Sequence, residues 1–596
     1  MARTYARTFV WRFDQPPAAI WPALADTQRF NEAAGLPRQR ISETTLDDGS
    51  VEFRAEARIG PFSLSWQEIP VEWVEGQWFR HLRLFENGPL ASLDARFSIR
   101  PEGDGAVGDY EIVAQPRNLL GHLLLATGFF RSARRNFTRL AMQGAEWAAG
   151  RRDRVFGVPP APPSEGRRAQ VLELVRRLEE SGNGHGLANR LVDWIWQAQE
   201  VDLQRIQPLL LAKRWQAEAR DVVELCLGAV HVGLLEMRWD LLCPRCRGAK
   251  LAVQRLDQLP NIVHCASCNI SYDRNFARNV ELAFHPAPIL RSVADGEFCL
   301  FGPMSTPHVK AQLRLAPGAR VEQNGSFPPG AYRARTLEIG GESDFEHAGG
   351  GFPTCIAANG TVSLGAPAGE GRLGFENREE RTRTLIVESR DWLAHALTAE
   401  RVATLQCFRD LCTDQVLAPG EEADVSQVVL MFTDLKGSTA LYERIGDAAA
   451  YRAVRRHFAL LASEIRAHNG AVVKTIGDAV MAAFQNPADA VAAALAIRRT
   501  FAETSQAGDF TIRLGLHMGP CIAVTLNDRL DYFGSTVNMA ARLEGQSQGG
   551  DIVFSEAVLA DPDAAALLAS MPLVTERASL RGFDQEVVYR RLPERP

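Results

Sequence analysis

Two aspartates in the last third of the chain have the surroundings expected of a divalent-cation site. Asp434 follows the apolar run Val428–Phe432 in "VVLMFTDLKGST", and Asp478 lies in a short turn in "VVKTIGDAVMAAF". We predict that each aspartate lies where a strand ends and that adjacent strands bring both carboxylates together. Two carboxylates at one place repel each other unless a cation joins them. A helix cap would account for Asp434 alone, but it does not account for the pair.

The residues directly after Asp434 could bind phosphate. Leu435, Lys436, Gly437 and Ser438 are predicted to form a turn at the start of a helix. Backbone N–H groups at such a position suit phosphate oxygens. A glycine at position 437 allows a ligand to approach the backbone closely.

Four more polar residues in this region could contact a bound molecule. Lys474 lies in "VVKTIGD", and Asp531 precedes the turn "FGSTVN". Asn538 and Arg542 are four residues apart, which places them on one side of a helix. By itself, Lys474 is typical of a solvated strand residue. Only the motifs around it indicate that it contacts a bound molecule. His517 in "GLHMGP" could act as a base, but we expect it to have a packing role.

Four cysteines form two Cys-x-x-Cys pairs with eighteen residues between them, namely Cys243, Cys246, Cys265 and Cys268. Two such pairs can place four thiolates around one zinc ion, and a closed set of four sulfurs leaves no open position for catalysis. A redox site would need only one pair. The sequence therefore predicts a structural zinc ribbon. The other six cysteines are scattered and are predicted to be small buried hydrophobic residues.

The elements that must position the C-terminal polar residues alternate clearly. From Val425 onward, a strand is followed by a long helix that ends at "HNG", and then by the strands "AVVKTI" and "VMAAF". A second helix, the strands "FTIRLGLHMG" and "CIAVTL", and a helix through "TVNMAARLEG" come next. The order βαββαβ, with additions, is typical of a ferredoxin-like core.

Five of these motifs, in order and at matching spacing, resemble the catalytic domain of class III nucleotidyl cyclases: "FTDLKGST", "VVKTIGDAVMAAF", "IRLGLHMGP", "LDYFGSTVNMAARLE" and "SLRGF". The resemblance implies that Asp434 and Asp478 bind two Mg²⁺ or Mn²⁺ ions. It also implies that Lys474 and Asp531 recognise adenine. Guanylate cyclases of this family usually carry a glutamate and a small residue at these two places, so the sequence favours ATP.

The same resemblance assigns the remaining polar residues. Asn538 would orient the ribose, and Arg542 would stabilise negative charge on the α-phosphate. Arg581 in "SLRGF" stands where the family usually has a lysine that binds the terminal phosphates. In this family the active site forms between two catalytic domains, so the resemblance implies a homodimer with two composite sites.

The predicted function is therefore an adenylate cyclase that converts ATP to 3′,5′-cyclic AMP and pyrophosphate, regulated by the modules that precede it. One alternative is a guanylate or dual-specificity cyclase. Alternatives of another class are a DNA-binding regulator, or a regulator that binds a lipid or small ligand and uses the cyclase domain for dimerisation.

The whole-chain properties are those of a soluble multidomain protein. The chain has 596 residues and a net charge of −6, so no overall basic field attracts nucleic acid. The N-terminus lacks the features of a signal peptide. The apolar run Leu119–Phe130 is too short to span a bilayer. We predict that it belongs to a buried or amphipathic helix, with membrane contact as the alternative. The sparse cysteines indicate a reducing compartment and hence the cytoplasm.

The regions before the catalytic domain have weaker signatures. Strand-like runs followed by a long helix around Leu119–Ala149 resemble the START-like superfamily, in which a curved sheet grips a helix around an apolar cavity. Helical periodicity then gives way to a winged-helix-like pattern, which we expect to serve as a protein platform rather than bind DNA. Glycine-rich strands further along predict a β-sandwich.

The predicted fold class is therefore multidomain α+β, with seven consecutive regions. These are a START-like helix-grip domain (1–155), a proline-rich linker (156–166), a winged-helix-like domain (167–240), a zinc ribbon (241–275), a β-sandwich (276–388), a helical connector (389–424) and a ferredoxin-like cyclase domain (425–596).

Overall fold

The structure of the protein is a computed structural model. It describes residues 3–46, 51–60, 62–157, 163–265, 268, 270–294, 296–300, 302–390, 396–437, 446–504 and 511–594; for residues 447–451, 453 and 504 it describes the backbone only. Within these ranges, no helix combines the length and the hydropathy needed to cross a bilayer.

The N-terminal region is an antiparallel sheet that packs against helices. Its elements are β1 (Tyr5–Phe13), α1 (Pro17–Leu24), α2 (Thr27–Ala33), β2 (Gln39–Thr45), β3 (Val51–Ile59), β4 (Phe62–Val74), β5 (Trp78–Phe85), β6 (Leu90–Glu102), β7 (Gly105–Pro116), α3 (Leu119–Thr127) and α4 (Phe129–Ala148). Alternate residues of β1, namely Phe9, Trp11 and Phe13, are buried, which gives the sheet one apolar face. A cavity of about 560 Å³ lies between this face and α4.

The long helix predicted around Leu119–Ala149 is two helices. They are separated at Gly128, the C-cap of α3, whose backbone φ of −124° is not helical. The apolar run Leu119–Phe130, predicted to belong to a buried or amphipathic helix, is buried on one side only, and several leucines of α3 are exposed on the other.

The second β-rich region consists of β13 (Val309–Leu315), β14 (Arg320–Asn324), β15 (Gly330–Thr336), β16 (Glu342–His347), β17 (Pro353–Ala358), β18 (Thr361–Pro367), β19 (Arg372–Asn377) and β20 (Arg383–Ser389). One sheet has the order β14-β19-β17-β18. The strands β13, β20, β15 and β16 extend the N-terminal sheet to eleven strands, because β13 pairs with β4. The two predicted domains, 1–155 and 276–388, thus share one continuous sheet.

The central region contains a group of helices and small sheets. The elements are α5 (Glu165–Glu180), α6 (Ala188–Gln197), α7 (Glu200–Leu203), α8 (Pro208–Trp215), α9 (Ala219–His231), β8 (Leu235–Leu242), β9 (Ala249–Val253), a 3₁₀ turn (Leu256–Gln258), β10 (Ile262–Cys265), β11 (Ile270–Asp273) and β12 (Val280–Pro286). The order β12-β8-β9 forms one sheet, so the boundaries predicted after residues 240 and 275 fall within it.

The C-terminal part begins with two short helices of the connector and continues into one sheet. The elements are α10 (Ala399–Ala403), α11 (Gln406–Leu411), β21 (Glu422–Lys436), α12 (Asp447–Ala467), β22 (Ala471–Ile476), β23 (Ala479–Phe484), α13 (Pro487–Thr504), β24 (Thr511–Leu526), β25 (Arg529–Phe533), α14 (Ser535–Glu544), β26 (Ile552–Ser555), α15 (Glu556–Leu559), α16 (Pro562–Leu568), β27 (Val574–Ser579) and β28 (Glu586–Leu592). The sheet order is β22-β23-β21-β24-β26-β28-β27, and β25 pairs with β24.

The two strands predicted at "FTIRLGLHMG" and "CIAVTL" are one continuous strand, β24. Pro520 lies between them and suggested a break. The pairing of β24 with β21 shifts register between Val425 and Val428, and Pro520 lies at that irregularity. A proline is tolerated there because it does not have to donate a ladder hydrogen bond.

Candidate active site

The two candidate metal-binding aspartates lie at neighbouring strand ends of the C-terminal sheet. Asp434 lies near the C-terminal end of β21, and Asp478 lies in the turn between β22 and β23. Gly477 in that turn has a backbone φ of +66°, a conformation that favours glycine. Because β23 pairs directly with β21, the two carboxylates come close enough to interact electrostatically.

The electrostatics of this pair favour a bound cation. Burial raises the pKa of Asp434, and the neighbouring Asp478 carboxylate raises it further. One oxygen of Asp478, Oδ2, is buried and has no hydrogen-bond partner in the part of the chain that the structure describes. A buried carboxylate oxygen without a donor, beside a second carboxylate, is the ligand type that Mg²⁺ and Mn²⁺ prefer.

Two further charged residues at this place were not predicted from the sequence. Arg513 lies opposite Asp434 in the β21–β24 ladder, and its Nη1 atom is 3.7 Å from Asp434 Oδ2. Glu544, the last residue of α14, is a third carboxylate near the pair. Burial raises the pKa of Glu544 to about 7, with further contributions from Asp434 and Asp478. Arg513 could be identified only from the strand register, and Glu544 only from the position of α14.

Lys474 and Asp531, predicted to act as a pair, form an ion pair within one chain. Lys474 Nζ lies 2.6 Å from Asp531 Oδ2, and their side chains are 35% and 7% exposed. The lysine is on β22 and the aspartate is on β25. The other oxygen of Asp531 accepts a hydrogen bond of 2.8 Å from the backbone N–H of Tyr532, which fixes the carboxylate. A cationic donor and a carboxylate acceptor therefore lie side by side at the edge of the domain.

The structure places Asn538 and Arg542 on α14, as predicted, but does not join them to the aspartate pair. Both residues are exposed. Their side chains make no hydrogen bond or ion pair to other residues within the described ranges. The aspartate pair and these two residues are therefore two separate candidate half-sites within the described part of one chain.

The predicted phosphate-binding turn is described only in part. Leu435 and Lys436 belong to β21, and the Leu435 side chain is buried in the core. Lys436 Nζ donates a hydrogen bond of 2.7 Å to the Gln548 carbonyl. Gly437 has a backbone φ of +90°, and within the described ranges no atom lies within 4 Å of the place that a Cβ would take there. Ser438 lies outside the described residues. Arg581 is exposed in the loop between β27 and β28.

His517, for which the sequence predicts a packing role, is half-buried. It lies within β24, where burial lowers its pKa to about 4. Within the described ranges, its Nδ1 atom is buried and has no hydrogen-bond partner.

The connector contacts both strands that carry the Lys474–Asp531 pair. Arg409 on α11 donates a hydrogen bond of 2.8 Å to the Leu530 carbonyl and lies over the ring of Tyr532, 5.5 Å from its centroid. These two residues flank Asp531. On the other strand, the backbone N–H of Val472 donates a 2.7 Å hydrogen bond to Gln406 Oε1.

The four predicted zinc ligands come together in the central region. The Sγ atoms of Cys243, Cys246, Cys265 and Cys268 all lie within 4.8 Å of one another, and all four residues are buried. The Cys246 and Cys265 sulfurs are 3.8 Å apart. Tetrahedral zinc with bonds of about 2.3 Å places its sulfurs about 3.8 Å apart, so the cluster fits that ion.

Two family descriptions match parts of this chain. Residues 421–565 match "Adenylate and Guanylate cyclase catalytic domain", and residues 169–299 match a family of unknown function, DUF5939. The second match covers the helices of the central region and the four clustered cysteines.

Curated relatives match the C-terminal part. Adenylate cyclase 2 of Rhizobium meliloti is 32% identical over 194 residues, which is 28% of this chain and 52% of that protein. An adenylate cyclase of Mycosarcoma maydis is 32% identical over 24% of this chain and 6% of that protein. An uncharacterized protein of Mycobacterium tuberculosis is 35% identical over 28% of this chain and 41% of its own length. The matched part of the chain thus spans 6% of the fungal relative and 52% and 41% of the two bacterial ones.

Solved cyclase structures also resemble this part of the chain. The adenylyl cyclase CyaB from P. aeruginosa is 23% identical, covering 29% of this chain and 97% of that one at a TM-score of 0.25. A likeness at this TM-score carries no conclusion by itself. The family match and the curated relatives agree on the same region: residues 421–565 match the adenylate and guanylate cyclase catalytic domain, and adenylate cyclases that are 32% identical match there too.

Proposed function

We propose that the protein is an adenylate cyclase that converts ATP to 3′,5′-cyclic AMP and pyrophosphate. The observation that carries the choice of ATP is the 2.6 Å pair between Lys474 and Asp531 in a domain of the cyclase family. The lysine can donate a hydrogen bond to adenine N1, and the aspartate can accept one from the N6 amino group. Guanine presents an acceptor and a donor in the reverse order, which would leave buried polar groups unmatched.

Asp434 and Asp478 are the residues that would hold two Mg²⁺ or Mn²⁺ ions. The pairing of two carboxylates, one with a buried oxygen lacking a donor, supports this assignment. When bound, such ions help the ribose 3′-hydroxyl to lose its proton and neutralise charge on the triphosphate. Arg513, 3.7 Å from Asp434, offsets part of the negative charge of the pair.

The active enzyme is proposed to be a homodimer. One chain carries both half-sites, but the exposed Asn538 and Arg542 are not joined to the aspartate pair within the described part of that chain. In the dimer, Asn538 would orient the ribose, and Arg542 would stabilise the negative charge that develops on the α-phosphate. The end of β21 and the residues after it, Leu435–Ser438, together with Arg581, are proposed to contact the β- and γ-phosphates. Lys436 would have to release the Gln548 carbonyl to do so.

Regulation is proposed to act through the connector. Arg409 holds the two residues beside Asp531, and Gln406 holds the strand of Lys474. Phe408, between them, packs edge-on against Trp239 of the central region at 6.1 Å between ring centroids. A shift of the central region would therefore move both residues that recognise the base. The N-terminal cavity, lined by aromatic rings such as Phe79 and Phe97, is proposed to receive an apolar small ligand as one input.

Structural zinc is proposed at the four clustered cysteines. The zinc site lies between regions, because Arg245, within the first cysteine pair, donates hydrogen bonds to the carbonyls of Thr336, Glu338 and Gly340. Its expected role is to hold the central region against the second β-rich region.

The test is cyclic nucleotide production by purified full-length protein, with ATP or GTP and with Mg²⁺ or Mn²⁺. We expect cyclic AMP as the main product. Asp434→Ala should reduce it at least about 100-fold, because catalytic metal ligands supply several kcal/mol of transition-state stabilisation. The matched control is Asp563→Ala, which changes an exposed aspartate of the same domain on α16. Activity retained in Asp434→Ala would contradict the metal assignment.

A second experiment tests base recognition. Replacing Lys474 with Glu and Asp531 with Cys together should shift the ratio of ATP to GTP turnover toward GTP. A ratio that stays unchanged, in a variant that still turns over nucleotide, would refute the role of this pair.

A further inference from the structure

Helix α3 presents four leucines to solvent. Leu119, Leu120, Leu123 and Leu124 are 86%, 64%, 59% and 37% exposed. Their spacing places them on one side of the helix. Gly121 and Leu125, on the opposite side, are buried. A short helix that is buried on one side and carries four exposed leucines on the other has an unusually apolar outer surface.

The orientation of this helix is fixed. The Asn118 side chain accepts a hydrogen bond of 3.0 Å from the backbone N–H of Gly121 and caps the helix. His122 Nδ1 lies 3.3 Å from the Tyr5 hydroxyl on β1. Gly121 approaches the neighbouring backbone so closely that an added Cβ would lie 2.0 Å from the Pro89 carbonyl oxygen. The leucines therefore cannot turn inward without breaking these contacts.

The sequence around these leucines is strongly basic. From Arg117 to Ala145 the chain has five arginines and no aspartate or glutamate, although its net charge is −6. Four of these arginines are exposed on one side of α4 at helical spacing, at positions Arg131, Arg134, Arg135 and Arg139. Within the described ranges, none of the four has a carboxylate partner.

The basic and apolar surfaces are adjacent. Arg117 precedes α3 and is held by the Leu90 carbonyl at 3.3 Å. At the other end, Arg131 Nε donates a hydrogen bond of 2.9 Å to the carbonyl of Thr127, the last residue of α3. Positive charge therefore stands at both ends of the leucine surface. We call the four leucines and five arginines the leucine–arginine face.

We propose that the leucine–arginine face docks on an anionic lipid membrane. Leucines on one side of a surface helix can enter the boundary between headgroups and acyl chains, while arginines interact with anionic headgroups. Exposed arginines without a carboxylate partner among the described residues suit a fluid surface of negative charge better than one protein partner, which would present its acceptors at fixed positions. The docking is peripheral, since α3 has only nine residues.

The test is co-sedimentation of the full-length protein with vesicles of phosphatidylcholine alone or with about one third phosphatidylserine. We expect binding to the anionic vesicles and much weaker binding to the neutral ones. The pair Arg134→Glu and Arg135→Glu should weaken binding at least about tenfold, because each arginine near an anionic surface contributes about 1 kcal/mol. The pair Leu120→Ser and Leu123→Ser should weaken binding to a similar extent.

Matched controls change the same residue types elsewhere. These are Arg167→Glu with Arg168→Glu, and Leu172→Ser with Leu210→Ser, all at exposed positions of α5 and α8. Circular dichroism and cyclic AMP production without vesicles check that every variant is folded.

Three results would overturn the proposal. The first is no binding of the unmodified protein to anionic vesicles. The second is equal binding by the face variants and the controls. The third is self-association that depends on Leu120 and Leu123 in the absence of lipid binding, which would make this face an interface between copies of the chain.

Discussion

The two faces of the catalytic sheet are covered in different ways. On β21, Val429 and Met431 point into a core made with helices of the catalytic domain itself. The alternate residues Val428, Leu430 and Phe432 belong to a different core, which continues into the connector and the central region. One face is therefore completed within the catalytic domain, and the other depends on parts of the chain that precede it.

Hydrogen bonds show the same difference. The register shift in β21 leaves backbone N–H groups without a strand partner, and Glu400 on α10 accepts a hydrogen bond of 3.0 Å from one of them, Ser426. On the edge strand β22, the backbone N–H of Val472 likewise donates its hydrogen bond to the Gln406 side chain. Because buried backbone groups without partners are costly, the connector contributes to the stability of the catalytic sheet as well as to its position. A regulatory signal that loosens the connector would therefore reach the sheet directly.

The largest effect should come from the zinc cluster, because its cysteines belong to the core shared with the second face. Cys265→Ser should lose bound zinc and unfold the central region, since structural zinc contributes on the order of 10 kcal/mol to such sites. Metal analysis and hydrogen exchange measure this outcome. Helices α12 and α13, on one side of the sheet, should keep more of their protection from hydrogen exchange than α10 and α11 on the other. Equal loss of protection on both sides would contradict the division between the faces.

An intermediate effect is expected from a pair of adjacent core residues. Leu430→Ala and Met431→Ala should each lower the free energy of unfolding by about 2 to 5 kcal/mol, because both side chains are fully buried. Only Leu430→Ala should increase hydrogen exchange in residues 399–411. If both variants open the connector to the same extent, the two faces are not independent.

The smallest effect concerns the contact between the connector and the residues proposed to recognise the base. Arg409→Ala should raise the KM for ATP by about three- to tenfold, since it leaves the Leu530 carbonyl without its donor at a cost of about 1 kcal/mol. The ratio of ATP to GTP turnover should fall, and kcat should change less.

Two variants sharpen this measurement. Arg409→Lys should restore part of the affinity, because it keeps a charged donor. Arg466→Ala is the matched control, since Arg466 pairs with Asp410 of α11 at an exposed position, where ion pairs contribute little. An equal rise of the KM for ATP in Arg466→Ala would contradict a specific role for Arg409.

The sequence was sufficient where polar residues lie in short ordered motifs. Lys474 and Asp531 were predicted as a pair, and the structure brings them together. The clustering of Cys243, Cys246, Cys265 and Cys268 was likewise predicted from their spacing, and the four residues do lie together. The βαββαβ order of the catalytic domain follows from the alternation of strands and helices.

Residues whose role depends on register or on distant packing could not be predicted. Arg513 reaches Asp434 only because their strands pair in one register, and Glu544 only because α14 ends beside the aspartates. Arg409 is far along the chain from Asp531. The continuous sheet across β4 and β13 also leaves no local pattern, because Trp73 and Val74 pair with Gln312 and Ala311, far along the chain.

The pairing of β4 with β13 has a consequence for synthesis. Trp73, buried in the finished protein, donates a hydrogen bond of 3.3 Å to the Val309 carbonyl, 236 residues later in the chain. At a translation rate of 5 to 20 residues per second, the ribosome needs roughly 10 to 50 seconds to supply that partner. During this interval the end of β4 is an uncovered strand edge, to which other chains can bind. The nascent N-terminal region should therefore depend on chaperones until β13 is synthesised.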